Sequence, residues 1–220
     1  MIERVKIMET RQKERKSNYE LMREQMQERF LQYDQEHMVE KFHLKKDEAF
    51  LYLTFVGRMY RISRATGRTE WSEDGFETCR AAEYNEAMSI FDVLCESREG
   101  CRLSGRFCGL NQLRGTVQSA NPGQEIFLRE IAGLDGRTEA FCRACESLGG
   151  QKGKVGDVSY CLWPFDFLPM VLQFWNSDEE FPASLKVMWD ENVLDYVHYE
   201  TTFFIVSHVL KRIMEIMDQE

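Results

Sequence analysis

The sequence predicts an α+β fold, in which small antiparallel sheets pack against several helices and an N-terminal amphipathic helix precedes them. Strand-like and helix-like segments occur in separate runs along the chain, which is typical of this class. With 220 residues, of which 43% are hydrophobic, the chain can bury a sizeable core. We expect a helical extension over residues 1–45 and a single α+β domain over residues 46–220.

The N-terminal extension has the periodicity of an amphipathic helix. Residues 1–42 contain no Gly or Pro, and apolar side chains recur every three or four residues, at Tyr19, Met22, Met26, Phe30 and Tyr33. This pattern predicts a helix that packs against the body from about Tyr19. The mostly polar residues 4–16 are expected to fray or to serve self-association, so a homodimer formed through this helix is one alternative function.

The segment after the extension has the pattern of a β-hairpin. Residues 50–56 are rich in β-forming side chains, Gly57 interrupts them, and apolar and polar side chains alternate over residues 58–64. A turn at residues 65–67 then leads into a short strand that ends at Trp71.

The middle of the chain is predicted to be mostly helical. Residues 83–96 place apolar side chains on one side, and residues 125–148 contain one or two helices that end at Gly149 and Gly150. Between them, the glycine-rich residues 98–123 are predicted to form a long loop.

The last third of the chain returns to strands and closes with a helix. Strand-like residues 159–162 and 170–175 are separated by Pro164 and Pro169, and a partner strand follows over residues 184–189. Residues 201–217 form a helix that is apolar over much of its surface. His208 is assigned to the polar side of this helix and is expected to be partly exposed.

The charge of the chain is concentrated in its last third. The formal net charge of −9 resides entirely in residues 157–220, which contain twelve acidic and three basic residues. This balance argues against nucleic acid as a partner. It is compatible with cationic ligands, metal ions or a basic partner surface, and equally with an acidic face that is only solvated.

The compartment is predicted from cysteine usage and from the start of the chain. The N-terminus lacks the apolar core of a signal peptide, and no stretch approaches the roughly 20 apolar residues of a membrane span. An odd number of cysteines, seven, without an export signal predicts a reduced, cytoplasmic protein with no membrane partner.

Carboxylates and one histidine form the first candidate site. The candidate ligand or metal residues are Asp178, Glu179, Glu180, Asp190, His198 and Glu200. Carboxylates with a histidine suit a divalent cation, and two carboxylates placed close together suit acid–base chemistry. The same residues are also typical of solvated turns and helix caps, so both interpretations stay open at this point.

Large aromatic side chains surround the same segment. Trp163, Trp175, Phe181 and Trp189 are candidates for lining a pocket, and they are equally typical of a well-packed core. Cys142 and Cys145 have the two-residue gap of metal sites, but the helical pattern around them favours a structural role in the core. The chain contains no phosphate-binding glycine loop, no Gly-x-Ser-x-Gly and no His-Glu-x-x-His.

Several segments resemble the domain-of-unknown-function family 3786. They are Asp157-Val-Ser-Tyr160, Pro169-Met-Val-Leu-Gln-Phe-Trp175, Asp178-Glu-Glu-Phe-Pro-Ala-Ser184, Val187-Met-Trp-Asp190 and Tyr199-Glu-Thr-Thr202. The resemblance covers about residues 50–213 and leaves the N-terminal helix outside. It implies an uncharacterised cytoplasmic protein of anaerobic bacteria or archaea, with no catalytic residue to carry over. Some members of the family carry an added iron–sulfur motif, which this chain lacks.

These observations favour a binding module as the function. We expect a small molecule, a cofactor or a partner protein to lie between the C-terminal strands and the last helix. The alternative is a metal-dependent or acid–base enzyme that uses Asp178, Glu180, Asp190, His198 or Glu200. No pattern in the chain identifies a particular cofactor.

Overall fold

The computed structural model of the protein describes residues 17–113 and 126–219. The predicted frayed turns at residues 4–16 and the second half of the predicted long loop lie outside these ranges. Within them the fold is α+β, as the sequence predicts. The helices are α1 (Asn18–Phe30), α2 (Gln35–Phe42), α3 (Tyr84–Glu96), α4 (Leu128–Leu134), α5 (Thr138–Ser147) and α6 (Tyr199–Met217).

The strands of the described chain form one antiparallel sheet. They are β1 (Lys45–Lys46), β2 (Phe50–Phe55), β3 (Arg58–Ser63), β4 (Thr69–Ser72), β5 (Arg80–Ala81), β6 (Phe107–Gly109), β7 (Gln151–Lys152), β8 (Val158–Phe165), β9 (Leu168–Trp175) and β10 (Ser184–Asp190). Their order is β5-β4-β3-β2-β8-β9-β10-β6, with β1 beside β2 and β7 beside β8. The predicted small sheets are therefore joined, and the register pair Phe55–Phe165 connects β2 to β8.

The N-terminal extension contains two helices instead of one. Ser17 and Glu20 form a capping box that begins α1, and the Asp34 carboxylate accepts hydrogen bonds from two main-chain N–H groups at the start of α2. The predicted packing of the first helix is confirmed, because Phe30 is fully buried and its ring lies 5.8 Å from that of Phe91 on α3.

The two prolines of the C-terminal sheet do not interrupt its strands. Pro164 lies within β8 and Pro169 within β9, which form one long hairpin. The pairing shifts register between Leu162 and Phe165, and the carbonyl of Pro164 accepts a hydrogen bond from the main-chain N–H of Val56. The irregularity thus accommodates a residue that cannot donate to the ladder.

The core lies between the sheet and α6, which also contacts α3, α4 and α5. The prediction of a partly exposed His208 is wrong: its side chain is buried against Phe55, with the two ring centroids 4.7 Å apart. Its Nε2 atom lies 3.2 Å from the hydroxyl of Tyr60. Among the described helices, none is both long and apolar enough to cross a membrane.

Candidate functional site

The acidic connection between β9 and β10 forms a solvent-exposed turn. Asp178 Oδ1 accepts hydrogen bonds of 2.8 Å from the main-chain N–H groups of both Glu180 and Phe181. Glu179 and Glu180 are exposed. This geometry accounts for the aspartate as a turn-forming residue.

Asp190 lies at the opposite end of β10 and is fully buried. The strand has seven residues, so it separates Asp190 from the acidic turn by roughly 20 Å at about 3.3 Å per residue. The Asp190 carboxylate accepts hydrogen bonds from the main-chain N–H groups of Ser104, Gly105 and Asn192, at 2.8–2.9 Å. It therefore holds the loop before β6 against the end of β10.

His198 is the N-cap residue of α6, and its partner is Asp92 on α3. The Nδ1 atom of His198 lies 2.5 Å from Asp92 Oδ1, and the main-chain N–H of His198 donates to Asp92 Oδ2 at 2.7 Å. Glu200 is exposed in the first turn of α6. The predicted site residues thus lie in three separate places, and the histidine is held by an acid that the sequence reasoning did not select.

No group of three or more His, Cys, Asp and Glu side chains that could hold a metal ion occurs in residues 17–113 and 126–219. All seven cysteines are free thiols. Cys145 is buried and Cys142 half-buried on α5, where burial raises the pKa of the Cys145 thiol well above its usual range.

The four aromatic candidates have different environments. Trp189 is fully buried in the core, whereas Phe181 is 66% exposed at the acidic turn. Trp163 and Trp175 are half-buried, and their neighbours Leu162 and Phe174 point to the core side of the sheet.

A cavity of about 400 Å³ lies between α1 and the body of the domain. Its lining comes from α1, the β3–β4 turn, β4, β5 and α3; the residues are Arg23, Glu24, Gln27, Thr66, Arg68, Thr69, Ala81 and Ala87. The approach of α1 depends on Gly67, because a Cβ there would lie 2.8 Å from the carbonyl oxygen of Gln27. The left-handed backbone of Gly67, with φ of +70°, also favours glycine.

The polar groups of this cavity favour an anion. The lining includes two guanidinium groups, those of Arg23 and Arg68, and one carboxylate, that of Glu24. Arg23 Nη1 donates a weak hydrogen bond of 3.5 Å to the carbonyl of Ala82. The exposed Arg68 side chain makes neither a hydrogen bond nor an ion pair with any other described residue. Its donors therefore remain available to a ligand.

Asp92 and Arg68 are not among the candidates predicted from the sequence, and only Asp92 has a sequence signal that indicates it. Asp92 interrupts the apolar run 90–94 of a helix, and a buried acid in such a run requires a partner, so this signal was available. Arg68 directly follows the turn predicted at residues 65–67 and begins the short strand predicted to end at Trp71. Nothing in its local pattern indicates that α1 passes close to it.

The comparisons with known proteins bear on the family alone. Neither the curated proteins nor the solved structures include a match to this chain. The sequence model of one family, described as a domain of unknown function (DUF3786), matches residues 34–212 and begins just before α2. The match covers most of the chain and agrees with the resemblance found in its motifs. The chain therefore belongs to the DUF3786 family.

Proposed function

We propose that the protein is a small-molecule-binding module and that its ligand carries an anionic group. The observation that carries the proposal is the cavity of about 400 Å³ between α1 and the domain body. This volume lies within the range of small-molecule sites, roughly 300–1,000 Å³. The site differs from the one expected between the C-terminal strands and α6.

The chemistry of the lining supports an anionic ligand. A guanidinium group presents planar, paired donors that match carboxylate and phosphate oxygens. Gln27 adds an amide donor, and Thr66 a hydroxyl group. Ala81 and Ala87 supply small apolar surfaces beside these groups, as is usual in ligand pockets.

The extension contributes directly to this site. Arg23, Glu24 and Gln27 belong to α1, which precedes the family match. Ligand binding should therefore depend on a helix that lies outside the matched domain. A form of the protein without α1 is expected to lose binding even where the remaining domain is folded.

The test is a thermal-shift and calorimetric screen with inorganic phosphate, citrate and nucleoside monophosphates as probes. Arg68→Gln should weaken binding about tenfold or more, because a charge-assisted hydrogen bond is worth about 1.5–3 kcal/mol. Arg98→Gln is the matched control, since Arg98 is exposed and pairs with Asp195, and neither residue lines the cavity. Equal affinity in both variants, or no binding by any probe, refutes the proposal.

Self-association through α1 is a second proposal, and the exposure of its first turns favours it. Tyr19 is 65% exposed and Met22 46% exposed, next to the ring of Tyr84 on α3. A second copy that covers this patch would bury both side chains. The double substitution Tyr19→Ser and Met22→Ser, which removes both exposed side chains, is then expected to convert a dimer into a monomer. An unchanged elution volume in gel filtration rules the proposal out.

A further inference from the structure

His198 and Asp92 form a pair with unequal exposure. The Asp92 side chain is 10% exposed, whereas that of His198 is 63% exposed. One carboxylate oxygen accepts the main-chain N–H of His198 and the other lies 2.5 Å from its Nδ1 atom. The imidazole is thus anchored at one edge by a buried acid, and its other edge faces solvent.

This arrangement fixes the tautomer of the ring. Because the carboxylate can only accept, Nδ1 carries the proton that it donates to Asp92. Nε2 then holds the lone pair of the neutral ring, and among the described residues it has no hydrogen-bond partner. An oriented imidazole with an accessible Nε2 is the arrangement used for general acid–base work.

A helix cap alone does not explain the geometry. Satisfying the main-chain N–H of the N-cap residue of α6 requires only the bond from His198 to Asp92 Oδ2. The second bond, to the ring, orients a side chain that has little other packing. Asn at position 92 would keep an oxygen for the cap, so the two roles can be separated by experiment.

The chain contains a second histidine–carboxylate pair for comparison. His37 Nε2 lies 2.8 Å from Glu99 Oε1, but the Glu99 side chain is 75% exposed. Asp92 differs because it is shielded from water and held by two bonds, which strengthens its interaction with the ring. The Glu99 pair therefore provides a matched control.

The surroundings of His198 are acidic. The hydrogen bond to Asp92 raises the pKa of His198, and the charges of Asp92, Glu96 and Glu200 act in the same direction against partial desolvation. Negative potential favours a neutral or cationic substrate over an anionic one. This preference distinguishes the site from the cavity beside α1.

We propose that His198 is an acid–base residue that transfers a proton between its Nε2 atom and water or a hydroxyl group of a neutral or cationic substrate. As base, Nε2 accepts the proton of the water or hydroxyl group while that oxygen bonds to the acyl carbon of an ester, and the ester C–O bond breaks so that the alcohol or phenol group leaves with its electrons. The imidazolium then returns that proton to the leaving group or to solvent. Asp92 is a positioning residue that keeps the Nδ1 proton in place.

The test uses the full-length chain, with hydrolysis of the neutral ester p-nitrophenyl acetate as the probe reaction. Water attacks the ester carbonyl, His198 removes its proton, and p-nitrophenolate leaves with the bonding electrons. His198→Gln should lower the rate near neutral pH about tenfold or more, within the usual contribution of a general base. Glu99→Gln should leave the rate unchanged.

The positioning role has its own readout. Asp92→Asn should lower the midpoint of the His198 titration, followed by NMR of the ring, because the hydrogen bond to Asp92 is the main cause that raises the pKa of His198. The inflection of the pH–rate profile should move with it, whereas Glu99→Gln should shift neither. Because His198 is exposed, His198→Gln is expected to fold, so the proposal can still be tested if Asp92→Asn does not fold. A wild-type rate no faster than that of free imidazole, an unchanged rate in His198→Gln or an unmoved midpoint in Asp92→Asn overturns the proposal.

Discussion

Acidification is expected to destabilise the protein through His208, the buried histidine of α6. Its side chain is almost fully shielded, and this burial, with the nearby charges of Arg58, Arg212 and Lys211, lowers its pKa from 6.5 to about 3. Glu86 Oε1 lies 3.4 Å from Nδ1, but burial also raises the pKa of Glu86 and so opposes charge on both partners. The ring is therefore neutral at physiological pH.

The magnitude follows from linkage. The unfolded chain binds a proton at His208 once the pH falls below 6.5, whereas the folded protein does so only near pH 3. Stability contributed by the neutral ring is therefore present above pH 6.5 and is lost as the pH falls. At pH 4.5, two units below the unfolded value, the loss amounts to about 3 kcal/mol at about 1.36 kcal/mol per unit.

Glu86 acts in the opposite direction. Its folded pKa lies above its unfolded value, so protonation of Glu86 favours the folded state as the pH falls. The pH dependence of the wild-type free energy of unfolding therefore reports the difference between the contributions of His208 and Glu86. Glu86→Gln removes the opposing titration, and the decline toward low pH should become steeper.

The assay is urea unfolding of wild type, His208→Gln and Glu86→Gln at pH 7 and pH 4.5. Glutamine retains hydrogen-bonding groups but does not titrate, so His208→Gln should lose roughly 3 kcal/mol less than wild type between the two pH values. An equal loss in both proteins shows that His208 does not remain neutral in the fold. A transition at pH 4.5 that is no longer two-state calls for the same comparison at pH 5.5, where about half of the effect is expected.

Two further predictions concern the packing of α1 and the aromatic candidates. Gly67→Ala should lower the free energy of unfolding, measured with urea, by well over 1 kcal/mol, because the added Cβ clashes with Gln27 and the positive φ is strained. Gly136→Ala is the control: its φ is also positive, but nothing lies within 4 Å, so it measures the backbone strain alone. Trp189→Ala should cost about 3–5 kcal/mol and Phe181→Ala less than about 0.5 kcal/mol, since only the former is buried. Similar losses of stability in the two glycine variants, or in the two aromatic variants, would contradict this packing.

The local elements of the fold were predictable because their signals lie within short windows. The alternation over residues 58–64 predicts β3, and the apolar side of residues 83–96 predicts α3; the structure confirms both, as Arg58–Ser63 and Tyr84–Glu96. The acidic turn between two paired strands is also where the sequence placed it.

The site could not be predicted in the same way, because its partners are far apart along the chain. His198 and Asp92 are 106 residues apart, and the hydroxyl of Tyr60 is 148 residues from His208. Helical periodicity assigned His208 to a polar face, but a neighbouring strand and α3 cover that face. A polar side chain on a helix can be buried, against the helical pattern, when it forms a hydrogen bond with another residue in the core.

Helix α3 explains why two histidines of one helix are expected to differ in charge. Two of its acids are buried, Glu86 and Asp92, and each lies beside a histidine of α6, His208 and His198 respectively. The chain order of the partners is reversed, so the two helices run antiparallel. Both histidines have a carboxylate at close range, yet the pKa of His208 is lowered and that of His198 raised. At His208, burial and the charges of Arg58, Arg212 and Lys211 lower the pKa despite the nearby Glu86. At the more exposed His198, desolvation is only partial, so the hydrogen bond to Asp92 prevails and the pKa is raised.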